Sequence, residues 1–495
     1  MKSNIFFKCV ALIAFVLSGN VYVQAQTEAE TSKLRKFLLQ ESAEPGVKNY
    51  QQLGISDVND IIWGNVIGLK WHNRTGLLTD MDWADKKLAG DLDISGFKEL
   101  KNVYCENNEL NSLNVIGDSA IIHLDCFENN LNTLDLTTNV NMTYVCFRYN
   151  NLREIDLSHN TELTFLCSTG NLFETLDLSG LDKLETLFCV GNKLTSVNIE
   201  SCVKLKTFSC FENNLTAIDV SGKAFLKEFS CARNSITDIN VVNCPSLKSL
   251  DCNDNEIKTI DLSGCSNLLY VKCRDNHLEN IKLQDCLLIQ ELYCNNNFLD
   301  SLKLPENHNL TELNCRNNRL GFFTLPKVSL ETTNYIYAQQ ADREIEANIN
   351  YADFSDFYEI DGIVSNYLWH EVVQYLNPEM IEDGVFYFGE SFLNKRLICR
   401  ITNRSFPGLV IRYDVTMTNG NVGNVSPEKE APSVYASEGY IHVVTESAVD
   451  VRVYSMQGAL LLTKNVAEGR ADIPFERGIY MVAVNNRKGC VLTVR

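Results

Sequence analysis

From Asn108 to Asn318 an asparagine returns every 21 residues, through Asn129, Asn150, Asn171, Asn192, Asn213, Asn234, Asn255, Asn276 and Asn297, with no slip in eleven repeats. A unit this short cannot bury its own apolar residues, so successive units must stack and share one long core. Other columns keep the same step. Large apolar residues run from Leu100 to Leu310, Val103 to Leu313, Leu110 to Leu320, Leu113 to Phe323 and Val115 to Leu325. The consensus is L-x-x-L-x-C-x-x-N-x-L-x-x-L-D-L-S-x-[NC]. In L-x-C the apolar positions alternate, which predicts a short strand with both side chains inward. Stacking contributes about 1.5–3 kcal/mol per large aliphatic side chain. The Asn falls where the strand turns away, and its amide can satisfy backbone groups of successive turns.

The motif from Leu100 to Leu325 resembles the leucine-rich repeat family, which implies a curved solenoid with a parallel sheet on its concave side. Upstream, Leu78, Met81, Trp83 and Leu88 match the pattern one residue out of register, and Leu92 and Ile94 rejoin it. This reads as a degenerate first repeat. Trp63–Trp83 reads as two strands around the polar turn HNRTG, and Ser32–Gln40 as a short helix packed on that end.

The chain has 18 cysteines. Nine lie in one column: Cys105, Cys126, Cys189, Cys210, Cys231, Cys252, Cys273, Cys294 and Cys315. Parallel strands place such residues about 4.8 Å apart, in a continuous row that gives no reason for pairing. No C-x-x-C occurs, so no metal site is expected. The column reads as small buried hydrophobes. Cys202, Cys244, Cys265 and Cys286 occupy the turn position that Asn139, Asn160 and Asn307 hold in other repeats, and read the same way. Two cysteines break the rule. Phe147 and Ser168 take the inward slot, so Cys146 and Cys167 fall one residue early and should face the other side, as an exposed thiol pair on adjacent strands. They could pair in an oxidising compartment, although parallel geometry disfavours it. The alternative is a local slip that keeps both buried.

Residues flanking the inward positions face the concavity. They are Tyr104, Phe127, Tyr144, Tyr149, Phe165, Phe188 and Phe211 in the first half, and Lys272, Arg274, Tyr293 and Arg316 in the second. These are the candidate ligand-binding residues, because solenoids bind on this face and clustered aromatics mark interaction surfaces. The alternative is that long side chains cover one another on a crowded sheet. Asp135, Asp156, Asp177, Asp219 and Asp261 form an acidic stripe. Lys282 and Lys303 interrupt it and ligand-rich loops are missing, so a hydrogen-bonding stripe is preferred over a calcium ladder. No catalytic motif is present, which points away from an enzyme and from any cofactor. The net charge of −19 argues against nucleic acid as a partner.

The ends carry further signals. Residues 1–25 read as a secretory signal peptide: Lys2 and Lys8, an apolar run from Cys9 to Leu17, and Val23-Gln24-Ala25 at the cleavage site. That run is too short to span a bilayer, and no transmembrane segment is expected. Residues 26–95 form the N-terminal cap and 96–326 the solenoid. Residues 327–418 hold short strands between turns, Glu344–Tyr351, Asn366–Tyr375, Gly384–Phe388, Arg396–Thr402 and Leu409–Met417, spaced as in a small β-sandwich. With YIYAQQ, GVFYF and ICRITNRSFPGL, this segment resembles the immunoglobulin-like module of Bacteroidetes internalin-like surface proteins. Residues 419–433 are a polar linker. Residues 434–495, with VRVYSMQGALL, RGIYMVAV and KGCVLTVR, resemble the C-terminal sorting domain of type IX secretion substrates.

The fold class is thus mainly β, a leucine-rich repeat solenoid followed by an immunoglobulin-like sandwich and a small C-terminal sandwich. The whole order is similar to internalin J-like proteins of that phylum. The resemblance implies export across the outer membrane with cell-surface attachment. It also implies engagement of the type IX machinery through the C-terminal domain, and adhesion or biofilm formation through a protein or glycan partner on host or neighbouring bacterial cells. The other reading is a structural spacer of the surface layer with no specific ligand.

Overall fold

A computed structural model describes residues 27–306, 308–326, 334–350, 352–419, 433–437, 440–445, 449–455, 460–467, 469–475, 478–484 and 490–494. The signal sequence, Asn307 and most of the linker lie outside the described residues. The chain divides into two compact units, Met1–Ala217 with Lys223–Ser235, and Ile218–Gly222 with Ile236–Arg495.

In the first unit a helix spans Glu28–Leu38 and buries Leu34, Phe37 and Leu38. It starts about a turn earlier than Ser32 because Glu28 and Glu30 suit the positive N-terminal end. Phe37 stacks on Trp83 at 5.8 Å, which seats the helix on the first repeat. A second, four-residue helix, Asn49–Gln52, was not foreseen. Its Asn49 is fully buried and donates to the carbonyls of Phe37 and Ala89. Leu69–Trp71 pairs antiparallel with Leu78–Asp82. The latter pairs parallel with Asn102–Tyr104, Met81 opposite Val103, so the degenerate repeat joins the ladder.

From there the first unit adds strands His123–Asp125, Tyr144–Cys146, Phe165–Cys167, Thr186–Phe188, Thr207–Ser209 and Glu228–Ser230, each parallel to the last. Every partner pair is 21 residues apart, as in Leu166 opposite Leu187. The second unit repeats the pattern with Ser249–Asp251, Tyr270–Lys272, Glu291–Tyr293 and Glu312–Asn314.

The Asn column works as the spacing suggests. Asn129 donates from Nδ2 to the carbonyls of Cys105, one repeat back, and Cys126 in its own repeat, while its Oδ1 accepts from Leu110 N–H. Asn213 does the same to Cys189, Cys210 and Leu194 in the first unit, and Asn297 to Cys273, Cys294 and Leu278 in the second. Buried backbone groups at every turn are thereby satisfied. The nine column thiols are buried and not disulfide-bonded, as expected for packing residues.

The turn column also follows a bonding rule. Asn139 and Asn160 donate to the carbonyls of Val115 and Leu136, in the preceding repeat. Cys244 and Cys265 direct Sγ to the equivalent carbonyls of Val220 and Val241 at 3.1 and 3.2 Å, and Lys223 sends Nζ to Ile199 O at 2.8 Å. The Asn/Cys interchange is therefore an exchange of donors.

The repeat register does not stop at Leu325-Pro326. Asn334–Ile336, expected in the following sandwich, pairs parallel with Glu312–Asn314 as a further rung. The step there is 22 residues, Glu312 to Asn334. Gln340 replaces the ladder Asn, its longer side chain donating to Cys315 O and accepting from Leu320 N–H. A search for Asn at a step of 21 misses it.

Two sheets follow. One has the order Arg343–Asn348, Val410–Thr418, Arg396–Thr402, Asn366–Glu371, Gln374–Leu376, and the other Ala352–Asp353, Val385–Tyr387, Glu379–Glu382. The expected strand Glu344–Tyr351 is shorter, ending at Asn348. Asn366–Tyr375 is a hairpin rather than one strand, with Trp369 opposite Leu376. Trp369 is buried against the rings of Phe354, Phe386 and Phe388. The last segment forms a three-stranded and a four-stranded sheet over a core of aliphatic residues such as Ile441, Val443, Val451 and Val453. Among the described residues no helix is long and apolar enough to cross a membrane.

Candidate ligand-binding face

From Asn102 onward each ladder strand is three residues long. Its middle residue points into the core, so the first and third point outward. In the first unit that outward face carries a row of rings. Tyr104 meets His123 at 4.9 Å, His123 stacks on Tyr144 at 4.0 Å, Tyr144 on Phe165 at 4.4 Å, and Phe165 meets Phe188 edge-on at 6.0 Å. The rings stack because in-register parallel strands bring equivalent positions to about 4.8 Å, close to ring-stacking distance. His123 is a member of the row that sequence reasoning missed. The signal was available, since it holds the same repeat position as Tyr144 and Phe165. Its Nε2 lies 2.8 Å from Asp125 Oδ2, and Asp125 is 8 % exposed.

A second set of groups lies in the turn that follows the strands. The Arg148 guanidinium sits 4.3 Å from the centre of the Phe127 ring and 5.5 Å from that of Tyr149, and Arg233 sits 5.3 Å from Phe211. Such cation–π contacts hold planar groups in fixed orientation. Tyr149 is 52 % exposed and has a left-handed backbone, at φ 52°. The other expected aromatics are half-buried by stacking.

In the second unit Lys272, Arg274 and Arg316 are exposed and Tyr293 is half-buried. Arg274 pairs with Asp275 at 3.3 Å and Asp254 at 3.8 Å, and the Tyr293 hydroxyl donates to Glu312. Burial and the carboxylates around Tyr293 push its hydroxyl well above the usual tyrosine range, with the Glu312 hydrogen bond the largest cause. This face is polar, with Arg274 already matched by carboxylates, unlike the ring row.

Cys146 and Cys167 do face outward, opposite each other in register, with Phe147 and Ser168 inward and fully buried. They are not exposed: Cys146 is 4 % and Cys167 7 % accessible. A thiol is short. The stacked rings of Tyr144 and Phe165, two residues earlier on the same strands, and Phe188 opposite Cys167 rise above it.

The acidic stripe is a set of turn locks. Asp135, Asp177 and Asp261 each accept from the backbone N–H and the hydroxyl of the Thr or Ser two residues on. Those bonds hold the Asp135 and Asp177 carboxyls below the usual range. Lys282, with Ser263, lowers Asp261 to about 2. Among the described residues no cluster of His, Cys, Asp or Glu could hold a metal ion.

The repeat and its parallel ladder define the fold: a mainly β solenoid like that of leucine-rich repeat proteins, with further β-sheets after the repeats. No family model matches the chain, and no curated protein matches it. Solved structures that it matches include the functional domain of InlJ from Listeria monocytogenes, described as including a cysteine ladder. That match has 19% identity and a TM-score of 0.38, over 68% of this chain and 90% of that one. YopM from Yersinia enterocolitica matches at 21% identity and a TM-score of 0.38, over 52% of this chain and 64% of that one. The leucine-rich repeat domain of APL1B matches at 20% identity and a TM-score of 0.42, over 51% and 77%.

Proposed function

We propose that this chain is an exported cell-surface protein that binds a protein or glycan partner on the outward, ring-bearing face of its strand ladder, and so serves adhesion or biofilm formation. The observation that carries the reading is the continuous row from Tyr104 through His123, Tyr144 and Phe165 to Phe188, flanked by Arg148 over Phe127. Rigid aromatic area ordered before binding lowers the entropy cost of association, and such anchors dominate interface energetics. Export is supported by the signal-like N-terminus. Passage through a type IX system and a Bacteroidetes origin are supported by the C-terminal segment, where Gly478–Val484 carries the G-x-Y motif on a strand. The immunoglobulin-like reading of the middle segment is supported by its two sheets around Trp369, and the domain boundaries given above are part of the same proposal.

The test is attachment of beads coated with the full chain to bacterial or host cells. Replacing Phe127, Phe188 and Phe211 together with Ala should cut attachment at least about ten-fold, as loss of aromatic anchors does. Circular dichroism would verify that the fold is kept. Attachment equal to wild type would favour the spacer reading instead.

A further inference from the structure

At its N-terminal end the outward face of the ladder turns acidic. The in-register strands Leu78–Asp82, Asn102–Tyr104 and His123–Asp125 place Asp82 opposite Tyr104, and Tyr104 opposite Asp125. The two carboxylates therefore flank the tyrosine from successive strands, two rungs or about 10 Å apart. The turn beyond the strands adds Asp85 and Glu106, joined by the bond from Asp85 N–H to Glu106 O at 3.1 Å. Asp82 and Asp85 are exposed and Glu106 is half-buried. Lys70 stands opposite Asp80 in register, not opposite Asp82.

Asp125 lies beneath this patch, 8 % exposed. Its Oδ2 meets His123 at 2.8 Å, while Oδ1 has no hydrogen-bond partner. Glu106 Oε2 is likewise buried and unpartnered. Buried carboxylate oxygens without donors are costly, and their charge acts on the surface above through a medium of low dielectric. Burial first, and then the charges of Asp125, Asp82 and Asp85, push the Glu106 carboxyl above its ordinary value. The cluster lacks a countercharge. Among the described residues no such group could hold a metal ion. The cation that suits carboxylates spread this far apart is an organic one, with several N–H donors on a single head.

We propose that this end of the face anchors an arginine or lysine side chain of a basic protein segment, which runs from there across the ring row. The inference rests on the binding face put forward above, and it narrows the partner from protein or glycan to protein. From Leu78–Asp82 to Thr186–Phe188 the ladder takes five rung steps. That is about 24 Å, the reach of about seven extended residues. The face is acidic at one end and carries Phe165 and Phe188 at the other. The complementary segment is basic at one end and apolar at the other. A neutral sugar would leave the carboxylates without a countercharge.

The experiment follows the fluorescence anisotropy of a labelled peptide of about seven residues, arginines at one end and leucines at the other, on the full chain. A second peptide carries citrulline, the uncharged analogue, in place of arginine. Wild type should bind the arginine peptide at least about ten-fold more tightly, and the preference should shrink as salt rises. The isosteric double variant Asp82→Asn with Glu106→Gln, its fold verified by urea unfolding, should bring the two affinities to a ratio of about one. The proposal is overturned if wild type does not prefer the arginine peptide, or if the double variant keeps the full preference. Bead attachment separates this outcome from failure of the adhesion reading. Attachment lost when Phe127, Phe188 and Phe211 are replaced, yet intact in the double variant, would keep that reading and overturn the cation anchor.

Discussion

At the residue scale the repeat is enforced by single donors placed at fixed positions. Where a donor is missing, the cost is visible. Asp118 occupies the turn slot that Asn139 and Asn160 fill with an amide, and both its carboxyl oxygens are buried without a hydrogen-bond partner. Burial raises its pKa from the ordinary 3.8 to about 8. The sign follows from proton binding. Between those values the folded chain holds a proton that the unfolded chain has released, so stability falls as pH rises through this window and levels off above it. Asp118→Asn should restore the donor and flatten the slope. Urea midpoints at about pH 5 and about pH 8 should differ for wild type and nearly coincide for the variant. Removing a ladder amide should act the opposite way. Asn213→Ala strips the carbonyls of Cys189 and Cys210 and the N–H of Leu194 of their partner. It should cost about 2–4 kcal/mol, read from denaturant unfolding, because buried backbone groups are left unpaired.

At the element scale each ladder strand from Asn102 onward is three residues long, and the third residue after it is left-handed. Tyr149, Glu212, Arg233 and Asp254 hold it with side chains, at φ 52–58°. Gly191 holds it at φ +62°, with only backbone atoms at 3.9 Å or beyond near a Cβ. Gly191→Ala therefore meets open space, and its expected cost of about 1 kcal/mol in thermal or urea unfolding is conformational alone. Strand placement was legible in the sequence because alternation and period agreed. The outward turn of Cys146 and Cys167 was legible from register alone. Their burial was not, because it depends on how neighbouring rings lie over them. The short helix Asn49–Gln52 carried no periodic signal, and its buried Asn49 is explained only by carbonyls distant in the chain.

At the scale of the molecule the period reports the number of rungs until the rule changes, and then under-reports. Gln340 and a step of 22 extend the ladder beyond the last Asn. Of the expected rings, Tyr104, Tyr144, Phe165 and Phe188 lie in one row with His123, which was overlooked because a histidine does not announce itself as a ring in a stack. Because each repeat touches chiefly its neighbours, length should be adjustable only in whole units. Excising the 21 residues 168–188 joins Cys167 to Cys189 in register, and the product should unfold cooperatively. Excising ten residues from the same place should abolish cooperative unfolding, as followed by circular dichroism. The functional reading rests on this strict division between a core side and an outward side. Residue-resolved alkylation of the native full chain, followed by peptide mass spectrometry, tests that division most directly. The account expects Cys105, Cys126, Cys189, Cys210, Cys252, Cys273, Cys294 and Cys315, each at most 1% exposed, to stay unmodified until the chain is unfolded. Rapid labelling of several of them in the folded protein would contradict it.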